Sequence, residues 1–600
     1  MRVFDIETNG LLKRVTKAHL LTTKDSTTGL KETHRFPQGV AMGARSLMEG
    51  TDVVCGHNII GYDIPVLQKL YPWFNLPISR VMDTMVLSRL LYPNLAESDQ
   101  KLVAKGKLPK KLTGSHSLEA WGYRLGNNKG EYTGGWEEWN PEMEEYCVQD
   151  TAVTTMLLNK CITEGFSEAS IILEHQVQHI IQRQVRKGVY FDVNAAEQLY
   201  ATLLGEKARL EISLKDTFGS WYQDDGLFTP KVNNKTAGFT KGVPLTKVSL
   251  IEFNPGSRAH IAYQLTKRYG WEPTELTETG IPKVNDEVLS ALTRWETVPL
   301  LLNYLLVVKR LGQLNDGQAG WLKLLDTDDG RIHGGVNSNG AVTGRMTHSG
   351  PNLAQVPKVK SLYGRECRAL FVVPKGKKLV GCDASGLELR MLAHFMGRYD
   401  GGTYALTVVE GKSEDGTDIH TVNQRAAGLP TRDDAKTFIY ALLYGAGDEK
   451  IGSIIGKGAP QGRALKNKFF KALPALEALK EAVSLSASKG WVTGLDGRKL
   501  YVRSAHSALN TVLQSAGALV MKKALVLLDD RLQAEGLVPG VDYEFVLNVH
   551  DEFQIEVSEH VAPKVSALAV WSIEEAGRSF NLRCPLTGES KIGNNWAETH

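Results

Sequence analysis

The stretch Tyr543–Val557, YEFVLNVHDEFQIEV, has two arms rich in valine, isoleucine, phenylalanine and tyrosine. Such residues favour strands, so each arm predicts a strand, and the alternation within 553–557 puts one face of the second strand on a core. The triplet HDE at 550–552 then forms a tight turn at the rim of a sheet. Two adjacent carboxylates repel each other, and a divalent cation would offset that repulsion. The pattern indicates a metal ligand at Asp551, although a polar turn between strands explains this stretch alone equally well.

A second stretch, Lys378–Phe395 (KLVGCDASGLELRMLAHF), complements the first. Its apolar start predicts a short buried strand that ends at Asp383, and Ser385 then begins a helix with Glu388 at capping-box spacing. Asp383 thus lies at a strand end beside a helix N-terminus, where phosphates bind readily. Together with Asp551 it suits a two-metal phosphoryl-transfer site, in which the ions lie about 3.5–4 Å apart. Capping alone is a second explanation of Glu388.

Length and composition set broad limits. The chain has 600 residues, 42% hydrophobic and 23% charged, with a net charge of +3. It is too long for one core and should hold about three or four domains. A net charge this small does not by itself indicate a nucleic-acid partner, so any basic surface must be confined to one part of the protein. The six cysteines form no CxxC pair, which argues against zinc and disulfides and fits a reducing cytosol. No signal peptide or membrane span is expected, because the longest apolar run is too short.

Acidic residues recur in the N-terminal part of the chain. The segment 2–8 (RVFDIET) alternates like a strand and puts Asp5 and Glu7 on one face. Two carboxylates on a buried face are costly unless their charge is offset, and a bound metal ion would offset it. The segment 53–67 predicts a strand, a polar loop and a helix that starts near Asp63. A helix-starting aspartate is most often a cap, so Asp63 alone says little.

A helix predicted over 142–157 adds two further groups. Tyr146 and Asp150 are four residues apart and share a face, as would a simple surface pair. With the three acids before them, in a strand-then-helix order, they suit a second two-metal site that hydrolyses phosphodiesters.

Residues 165–330 are mostly helical by pattern and offer few catalytic groups. The runs 173–186 and 195–214 predict packed antiparallel helices. The segment 219–252 is predicted as a loop, either solvated or in contact with phosphates. Its four cations are Lys231, Lys235, Lys241 and Lys247.

The segment Pro430–Gly447 (PTRDDAKTFIYALLYGAG) predicts a helix with a capping pair at its start and a glycine at its end. Arg432, Lys436 and Tyr440 recur every four residues and share one face. Two cations and an aromatic ring at that spacing can grip a triphosphate and stack against a base. A salt-bridged helix face is the competing explanation.

Two other regions carry polar groups suited to DNA. The segment 336–357, rich in glycine, asparagine, serine and threonine, predicts irregular backbone around Arg345, a common place for binding groups. Further along, Arg498 precedes a helix on which Asn510 and Gln514 share a face. These amides can hydrogen-bond to bases or sugars.

Over nearly its whole length the chain resembles family A DNA polymerases, most closely the replicative polymerases of short-tailed T-odd phages. The matching polymerase motifs are DASGLELR at 383–390, RDDAKTFIYALLYGAG at 432–447 and VHDE at 549–552. The primer–template element is matched by TGR at 343–345 and PNLAQVP at 351–357. The proofreading exonuclease motifs are matched by FDIET at 4–8, HNIIGYD at 57–63 and YCVQD at 146–150.

The resemblance implies an α/β multidomain fold, with an RNase H-like 3′–5′ exonuclease domain followed by a right-hand polymerase. The implied boundaries are 1–165 for the exonuclease, 166–330 for the thumb, 331–410 and 496–600 for the palm, and 411–495 for the fingers.

It also implies roles for individual residues. The polymerase metal ligands would be Asp383, Asp551 and the backbone carbonyl of Ala384. The exonuclease would use Asp5, Glu7, Asp63 and Asp150, with Tyr146; Asp5, Glu7 and Asp150 would bind metal. The incoming nucleotide would meet Arg432, Lys436, His420, Tyr440, Glu388 and Tyr444. Primer and template would be held by Arg345, Arg498, Asn510, Gln514 and His550.

Two Mg²⁺ ions at each site, with Mn²⁺ as a substitute, are the expected cofactors. Primer–template DNA and dNTPs are the expected ligands, and a phage helicase–primase and a single-stranded DNA-binding protein are candidate partners in the cytoplasm of an infected bacterium. Phage members of the family carry a long basic thumb insertion that recruits host thioredoxin. Here the corresponding segment, 224–252, is short and has a net charge of +1, so thioredoxin is not expected.

The interpretation is therefore a template-directed DNA polymerase with proofreading that replicates phage DNA. Two alternatives are a DNA-binding replication factor that has lost catalysis and a nuclease with a degenerate polymerase half. Both would be favoured by loss of the carboxylates, all of which are present.

Overall fold

The computed structural model describes residues 1–127, 132–273, 275–504 and 507–600. They form two compact units. The first comprises Met1–Tyr190, His333–Val356 and Phe371–His600, and the second comprises Phe191–Ile332 and Pro357–Leu370. The predicted domain boundaries stay predictions.

The N-terminal part of the first unit is built on a five-stranded sheet in the order β3-β2-β1-β4-β5. Its strands are β1 (Arg2–Thr8), β2 (Ala18–Asp25), β3 (Lys31–Arg35), β4 (Val54–Gly56) and β5 (Val81–Asp83). The helices are α1 (Gln38–Glu49), α2 (Asp63–Leu70), α3 (Thr84–Leu91), α4 (Leu95–Ala104), α5 (Leu118–Leu125), α6 (Pro141–Glu164) and α7 (Glu168–Lys187). β1 has the predicted bounds. It runs antiparallel to β2 and parallel to β4, and α6 packs against both β1 and β2.

Helix α7 connects the N-terminal sheet to the C-terminal part of the first unit. Nε2 of His175 accepts a hydrogen bond of 2.8 Å from the backbone N–H of Asp83 in the N-terminal sheet. One residue earlier, Oε1 of Glu174 lies 2.5 Å from Nζ of Lys522 and 2.7 Å from Nη1 of Arg498. The side chains of these three charged residues are almost fully buried. Through these buried polar contacts, α7 holds the N-terminal sheet and the C-terminal part of the first unit together.

The second unit is mainly helical. After β6 (Val189–Phe191), which crosses into it, come the helices α8 (Val193–Phe218), α9 (Arg258–Tyr269), α10 (Asp286–Ser290), α11 (Val298–Leu311) and α12 (Gly364–Ala369). The strands are β7 (Ser220–Phe228), β8 (Leu245–Glu252), β9 (Leu325–Asp326) and β10 (Arg331–Ile332).

The prediction of a loop over 219–252 is wrong, because β7 and β8 pair as an antiparallel hairpin. Trp221 and Ile251 are direct partners in this ladder, and the Trp221 ring stacks on Tyr263 of α9 at 4.8 Å. Trp221 thus anchors the end of the hairpin on α9. Three of the four lysines lie in the connection between the strands, and Lys247 lies on β8.

The C-terminal part of the first unit contains a second sheet, in the order β17-β18-β14-β19. Strands in this part are β11 (Gly335–Asn337), β12 (Thr347–Ser349), β13 (Phe371–Val372), β14 (Lys377–Ala384), β15 (Trp491–Thr493), β16 (Lys499–Tyr501), β17 (Tyr543–Val549), β18 (Glu552–Ser558) and β19 (Gly588–Gly593). The predicted hairpin is confirmed, with a two-residue turn at 550–551. Burial is broader than the alternation indicated, because Gln554 and Glu556 on the polar face of β18 are buried too, and Glu556 pairs with Lys187 at 3.0 Å.

Helices surround this sheet. They are α13 (Leu387–Asp400), α14 (Thr403–Glu410), α15 (Ile419–Ala427), α16 (Arg432–Leu443), α17 (Asp448–Ser453), α18 (Ala459–Ala472), α19 (Pro474–Ser486), α20 (Ala508–Ala534) and α21 (Ala562–Ser579). α20 is long and apolar enough to cross a bilayer, but 78% of its most apolar window is buried inside the protein. It is the central core helix of this part.

Candidate active sites

Two carboxylates meet at one edge of the second sheet. Asp383 lies near the end of β14, and Asp551 lies in the turn between β17 and β18, the strand next to β14. The backbone N–H of Ala384 donates a hydrogen bond of 3.0 Å to the carbonyl oxygen of Asp551, which fixes the two segments together. His550, exposed at the same turn, has a positive φ of 56°. The structure therefore brings together the two aspartates that the sequence singled out.

Burial and mutual repulsion dominate the electrostatics of this pair. Burial, and after it the carboxylates of Asp551, Glu552 and Glu388, raise the pKa of Asp383 to about 8. Burial and the charges of Glu388 and Glu552 likewise raise the pKa of Asp551 to about 6. A concentration of carboxylates this difficult to ionise is one that a bound cation would stabilise.

The donor set fits magnesium. The two aspartate carboxylates and the backbone carbonyl of Ala384 are hard oxygen ligands, the type that Mg²⁺ prefers. The described residues at this edge bring no sulfur or imidazole ligand into a metal-binding cluster with the aspartates.

Glu552, the acid next to Asp551, has other partners. Its Oε1 accepts a hydrogen bond of 2.5 Å from the indole N–H of Trp596, and its Oε2 lies 2.6 Å from Nδ1 of His600. Glu552 belongs to β18 rather than to the turn, and its side chain is buried. The two adjacent acids are thus separated into one residue at the sheet edge and one held inside the protein.

Glu388 does not form the predicted capping box. The cap of α13 is Gly386, with a positive φ of 60° and no side-chain cap bond. The Glu388 carboxylate instead accepts a hydrogen bond of 2.6 Å from the Tyr444 hydroxyl. Arg345 lies 4.0 Å from the same carboxylate, with its guanidinium 5.9 Å from the centre of the Tyr444 ring. One cluster is therefore formed by Glu388, Tyr444 and Arg345. It joins two residues predicted to meet the nucleotide to one predicted to hold DNA.

Helix α16 begins as predicted, because Thr431 accepts a hydrogen bond of 3.1 Å from the backbone N–H of Asp434. Arg432, Lys436 and Tyr440 follow at intervals of one turn, with Lys436 exposed and Tyr440 half-buried. Burial, and then the negative charges of Glu388, Asp551 and Asp383, raise the pKa of Tyr440 to about 12. The charges of the carboxylate edge therefore act on the Tyr440 hydroxyl.

His420 lies beside this helix, with its ring centre 6.2 Å from that of Tyr440. Burial, and then the positive charges of Arg432 and Lys436, lower its pKa. A neutral imidazole beside two cations is suited to donating a hydrogen bond to a phosphate oxygen.

Asn510 lies close to the end of α16. Gly445, with a φ of 76°, allows this approach, since a Cβ there would lie 2.8 Å from Nδ2 of Asn510. Asn510 and Gln514 lie one turn apart on α20, and both are partly exposed. The partly exposed amides of Asn510 and Gln514 thus lie near the C-terminal end of α16.

Arg498 is placed differently from an exposed DNA-binding cation. Its side chain is 3% exposed and lies 2.6 Å from Asp496 and 2.7 Å from Glu174. A guanidinium used in this way holds the protein together, and its buried position does not support the predicted DNA contact.

The N-terminal sheet carries a second acidic cluster. Ligand atoms of Asp5, Glu7 and Cys147 lie within 4.8 Å of one another. The Cys147 thiol donates to Oδ2 of Asp5 at 3.3 Å, and Asp63 accepts a hydrogen bond of 3.3 Å from the backbone N–H of Ile6. Burial, and then the charge of Asp5, raise the pKa of Asp63 well above its usual range.

The remaining members come from α6. Asp150, which is buried, follows Cys147 by three residues, and Tyr146 immediately precedes it and is half-buried. Since α6 packs on β1 and Cys147 contacts Asp5, the part of α6 that carries Tyr146 and Asp150 lies against the strand of Asp5 and Glu7. Carboxylate oxygens suit magnesium here as well.

Sequence reasoning missed several supporting residues. Asp83 receives backbone N–H bonds from Asn58 at 2.9 Å and from Ile60 at 3.1 Å, and so shapes the loop before Asp63. Asp418 accepts hydrogen bonds from Arg432 and caps the helix that carries His420. The sequence did contain a clue to Asp418. It precedes the candidate nucleotide ligand His420 by two residues, at a helix start where an aspartate commonly caps the helix.

The chain is similar over its whole length to known proteins. The sequence model of DNA polymerase family A matches residues 240–598. The chain is 40% identical to the DNA-directed DNA polymerase of Enterobacteria phage T3 and 40% identical to that of Escherichia phage T7, in each case over 100% of both chains. Its fold is similar to the polymerase domain of Pol1 from M. smegmatis, solved with primer–template DNA and dNTP, with a TM-score of 0.74, 21% identity and coverage of 99% of this chain and 96% of that one. Because the family model covers residues 240–598 and the two phage polymerases match the whole chain, the chain belongs to DNA polymerase family A.

Proposed function

We propose that this protein is a template-directed DNA polymerase that extends a primer 3′-hydroxyl with dNTPs by two-metal phosphoryl transfer, and that it proofreads with a 3′–5′ exonuclease. The observation that carries the polymerase half is the meeting of Asp383 and Asp551 at one sheet edge, fixed by the bond from Ala384 to Asp551. Its phage relatives support a role in phage DNA replication.

In the polymerase site, Asp383, Asp551 and the carbonyl of Ala384 would hold two Mg²⁺ ions. When bound, these ions activate the 3′-hydroxyl and stabilise the pyrophosphate leaving group. The triphosphate oxygens are bound by Arg432, Lys436 and His420. Two cations and one hydrogen-bond donor thus stabilise the negative charge that develops on the leaving pyrophosphate.

Tyr440 lies beside the sugar in this proposal, and Glu388 helps it to exclude a ribose 2′-hydroxyl. The hydrogen bond between Glu388 and Tyr444 supports this, because it holds the carboxylate in one orientation. Tyr444, 47% exposed, is available to stack near the templating base. Arg345, Asn510, Gln514 and His550 hold primer and template.

The exonuclease uses Asp5, Glu7, Asp63 and Asp150, with Tyr146 as a positioning or proton-handling hydroxyl. Two Mg²⁺ ions held by Asp5, Glu7 and Asp150 would activate water for attack on the terminal phosphodiester. The buried position of Asp63 next to Asp5 supports a role in keeping the ligand cluster in place.

The phage relatives support work in the cytoplasm of an infected bacterium. A helicase–primase and a single-stranded DNA-binding protein are proposed as its partners there. Mn²⁺ is expected to replace Mg²⁺ in both reactions.

Primer extension tests the central proposal. The wild-type protein should extend a labelled primer on a longer template with Mg²⁺ and four dNTPs, and Asp551→Ala should not. Extension by Asp551→Ala at the wild-type rate would refute the assigned site. Degradation of the same labelled primer without dNTPs, lost in Asp5→Ala, tests the exonuclease half.

A further inference from the structure

We propose that Tyr132 and Trp136 form an aromatic platform, on which the exonuclease stacks the unpaired bases of a single-stranded DNA 3′ end. The inference rests on the proposed exonuclease and names the part of its substrate that this surface recognises. The two residues belong to a polar loop in which the sequence analysis identified no function.

The platform adjoins a catalytic candidate. The Tyr132 ring lies 4.7 Å from the Trp136 ring, and the two lie 5.7 Å and 6.2 Å from the ring of Tyr146. Both contacts of Trp136 with these rings are edge-to-face, with interplanar angles of 65° and 76°, so neither ring stacks flat on it. Trp136 is 40% exposed although it is one of the largest apolar side chains.

Packing also ties the platform to the carboxylates. Tyr132 packs against a small buried cluster of Leu20, Met143 and Cys147. Leu20 is the direct ladder partner of Glu7, and the Cys147 thiol contacts Asp5. A base stacked on the platform would therefore lie next to the acids that hydrolyse its phosphodiester.

The loop is held in a defined shape. The Tyr132 hydroxyl donates to the carbonyl of Gly135 at 2.7 Å and accepts from the Asn140 amide at 2.6 Å. The carbonyl of Trp136 lies 2.8 Å from Nε2 of His19 on β2. The Tyr132 hydroxyl and the backbone of Trp136 are thus used inside the protein, and Gly134 lies against the Tyr132 ring, so the surface left for a base is the exposed part of the Trp136 ring.

The chemistry favours bases over the DNA backbone. The residues that follow Trp136 are Glu137 and Glu138, which are exposed and would repel phosphates. Every base has an apolar face that stacks on an aromatic ring, whatever its sequence. The platform therefore fits the bases of an unpaired strand, which a paired 3′ end does not offer.

Trp139 provides a matched control. It is also 40% exposed and lies three residues away, but its ring is covered by the Arg35 guanidinium at 5.4 Å. Arg35 is in turn paired with Glu144 at 2.7 Å. Trp136→Ala and Trp139→Ala thus remove equal side chains from one loop, and only the first alters the proposed platform.

The experiment measures degradation of a single-stranded oligonucleotide and of the same strand with abasic residues at its 3′ end. Stacking of one base changes affinity by about tenfold. Trp136→Ala should therefore raise KM for the normal strand about tenfold, whereas Trp139→Ala should leave it unchanged. On the abasic strand Trp136→Ala and wild type should have the same KM, since no base is left to stack. Trp136→Phe should recover most of the affinity.

An equal loss on both strands would overturn the proposal, because it would mean that Trp136 only supports Tyr146. A second readout does not need hydrolysis. In an Asp5→Ala, Glu7→Ala background, the fluorescence of a 3′-terminal 2-aminopurine should be quenched on binding, and Trp136→Ala should remove that quenching. Persistent quenching without Trp136 would also refute the platform. If wild type hydrolyses no DNA, the proposed exonuclease fails, and the fluorescence measurement still decides whether the platform binds bases.

Discussion

The carboxylate of Asp418 accepts hydrogen bonds from the Arg432 guanidinium, with Oδ1 lying 3.1 Å from Nε and 2.9 Å from Nη2. The same carboxylate accepts from the backbone N–H of His420 at 3.1 Å and from the Thr421 hydroxyl at 2.5 Å. Although burial acts to raise its pKa, the bonds from Arg432 and Thr421 lower the pKa of Asp418 to about 2. One ionised side chain thus orients two residues proposed to bind the triphosphate.

Asp418→Asn should therefore weaken nucleotide binding. Loss of the charge-assisted bond frees Arg432, and we expect KM for dNTPs to rise about tenfold with a smaller change in kcat. Steady-state extension over a range of dNTP concentrations measures this. Asp448→Asn is the control, because Asp448 also starts a helix and pairs with two cations, Arg463 at 2.9 Å and Lys466 at 2.8 Å. Equal KM values for the two variants would contradict the positioning role.

The raised pKa values of Asp383 and Asp551 predict how metal-free stability depends on pH. With a folded-state pKa of about 8 for Asp383, against an ordinary value of 3.8, the folded protein binds a proton that the unfolded chain releases. This contribution is complete at low pH and is lost as the pH rises toward 8. In EDTA, Tm should thus fall between pH 6 and pH 8, with less of a fall in Asp383→Asn.

Magnesium should reverse this loss. Its stabilising effect should be larger at pH 8 than at pH 6, because at pH 6 the cation must displace the proton on Asp383. The measurement belongs in an Asp5→Ala, Glu7→Ala background, so that only the polymerase site binds metal. The same Mg²⁺ effect at both pH values would show that these carboxylates are ionised without metal.

The two sites should be separable by substitution. Asp5→Ala with Glu7→Ala should abolish degradation of a labelled 3′ end and leave extension near wild type, because the polymerase ligands lie on another sheet. Assays of both reactions on one primer check this. Parallel loss of the two activities would mean that the sites are not independent.

Tyr440 should control the use of dideoxynucleotides. The charges of the carboxylate edge act on its hydroxyl, which would replace the polar contact of a missing 3′-hydroxyl. Tyr440→Phe should discriminate against dideoxynucleotides by orders of magnitude more than wild type does, since a buried polar group decides such selectivity. Competition between dNTPs and ddNTPs in extension ladders gives the ratio. Equal ratios in the two proteins would remove this role from Tyr440.

Host thioredoxin should not increase processivity. The segment 224–252 has a net charge of +1 and is largely used in the β7–β8 hairpin and its connection. A weakly charged segment makes a poor electrostatic clamp on DNA, and a docked protein normally buries about 800 Å² per side. Extension on a long primed template with a DNA trap should give equal product lengths with and without thioredoxin. A large gain that disappears on deletion of 224–252 would contradict this expectation.

Local pattern was enough to predict the elements that carry the chemistry. β1, the β17–β18 hairpin and the start of α16 follow from period-two alternation, turn residues and a cap, all encoded within a few positions. The differences between prediction and structure depended on the backbone conformation of a single residue or on partners distant in the sequence. Whether Ser385 caps α13 depends on the conformation of Gly386, and no local feature indicates that Arg498 meets Glu174 inside the protein.

The β7–β8 hairpin was missed for a related reason. Its strands are separated by a long, lysine- and glycine-containing connection, so their pairing is stabilised by contacts such as Trp221 on Tyr263 rather than by a tight turn. Likewise, the pair Lys522–Glu174 joins residues 348 positions apart, which no short motif encodes.

The position of Glu174 on α7 has a practical consequence for anyone who wants a non-proofreading enzyme. A truncation that removes residues 1–187 would take away the Glu174 counterion of Lys522 and one of the two carboxylates that pair with Arg498, and would uncover the face of α20 on which α7 packs. A shorter truncation that keeps α7 would still uncover the face of His175 that contacts Asp83. The proposed proofreading activity is thus better removed by exchanging single carboxylates, because excision of the whole N-terminal module would weaken the polymerase that remains.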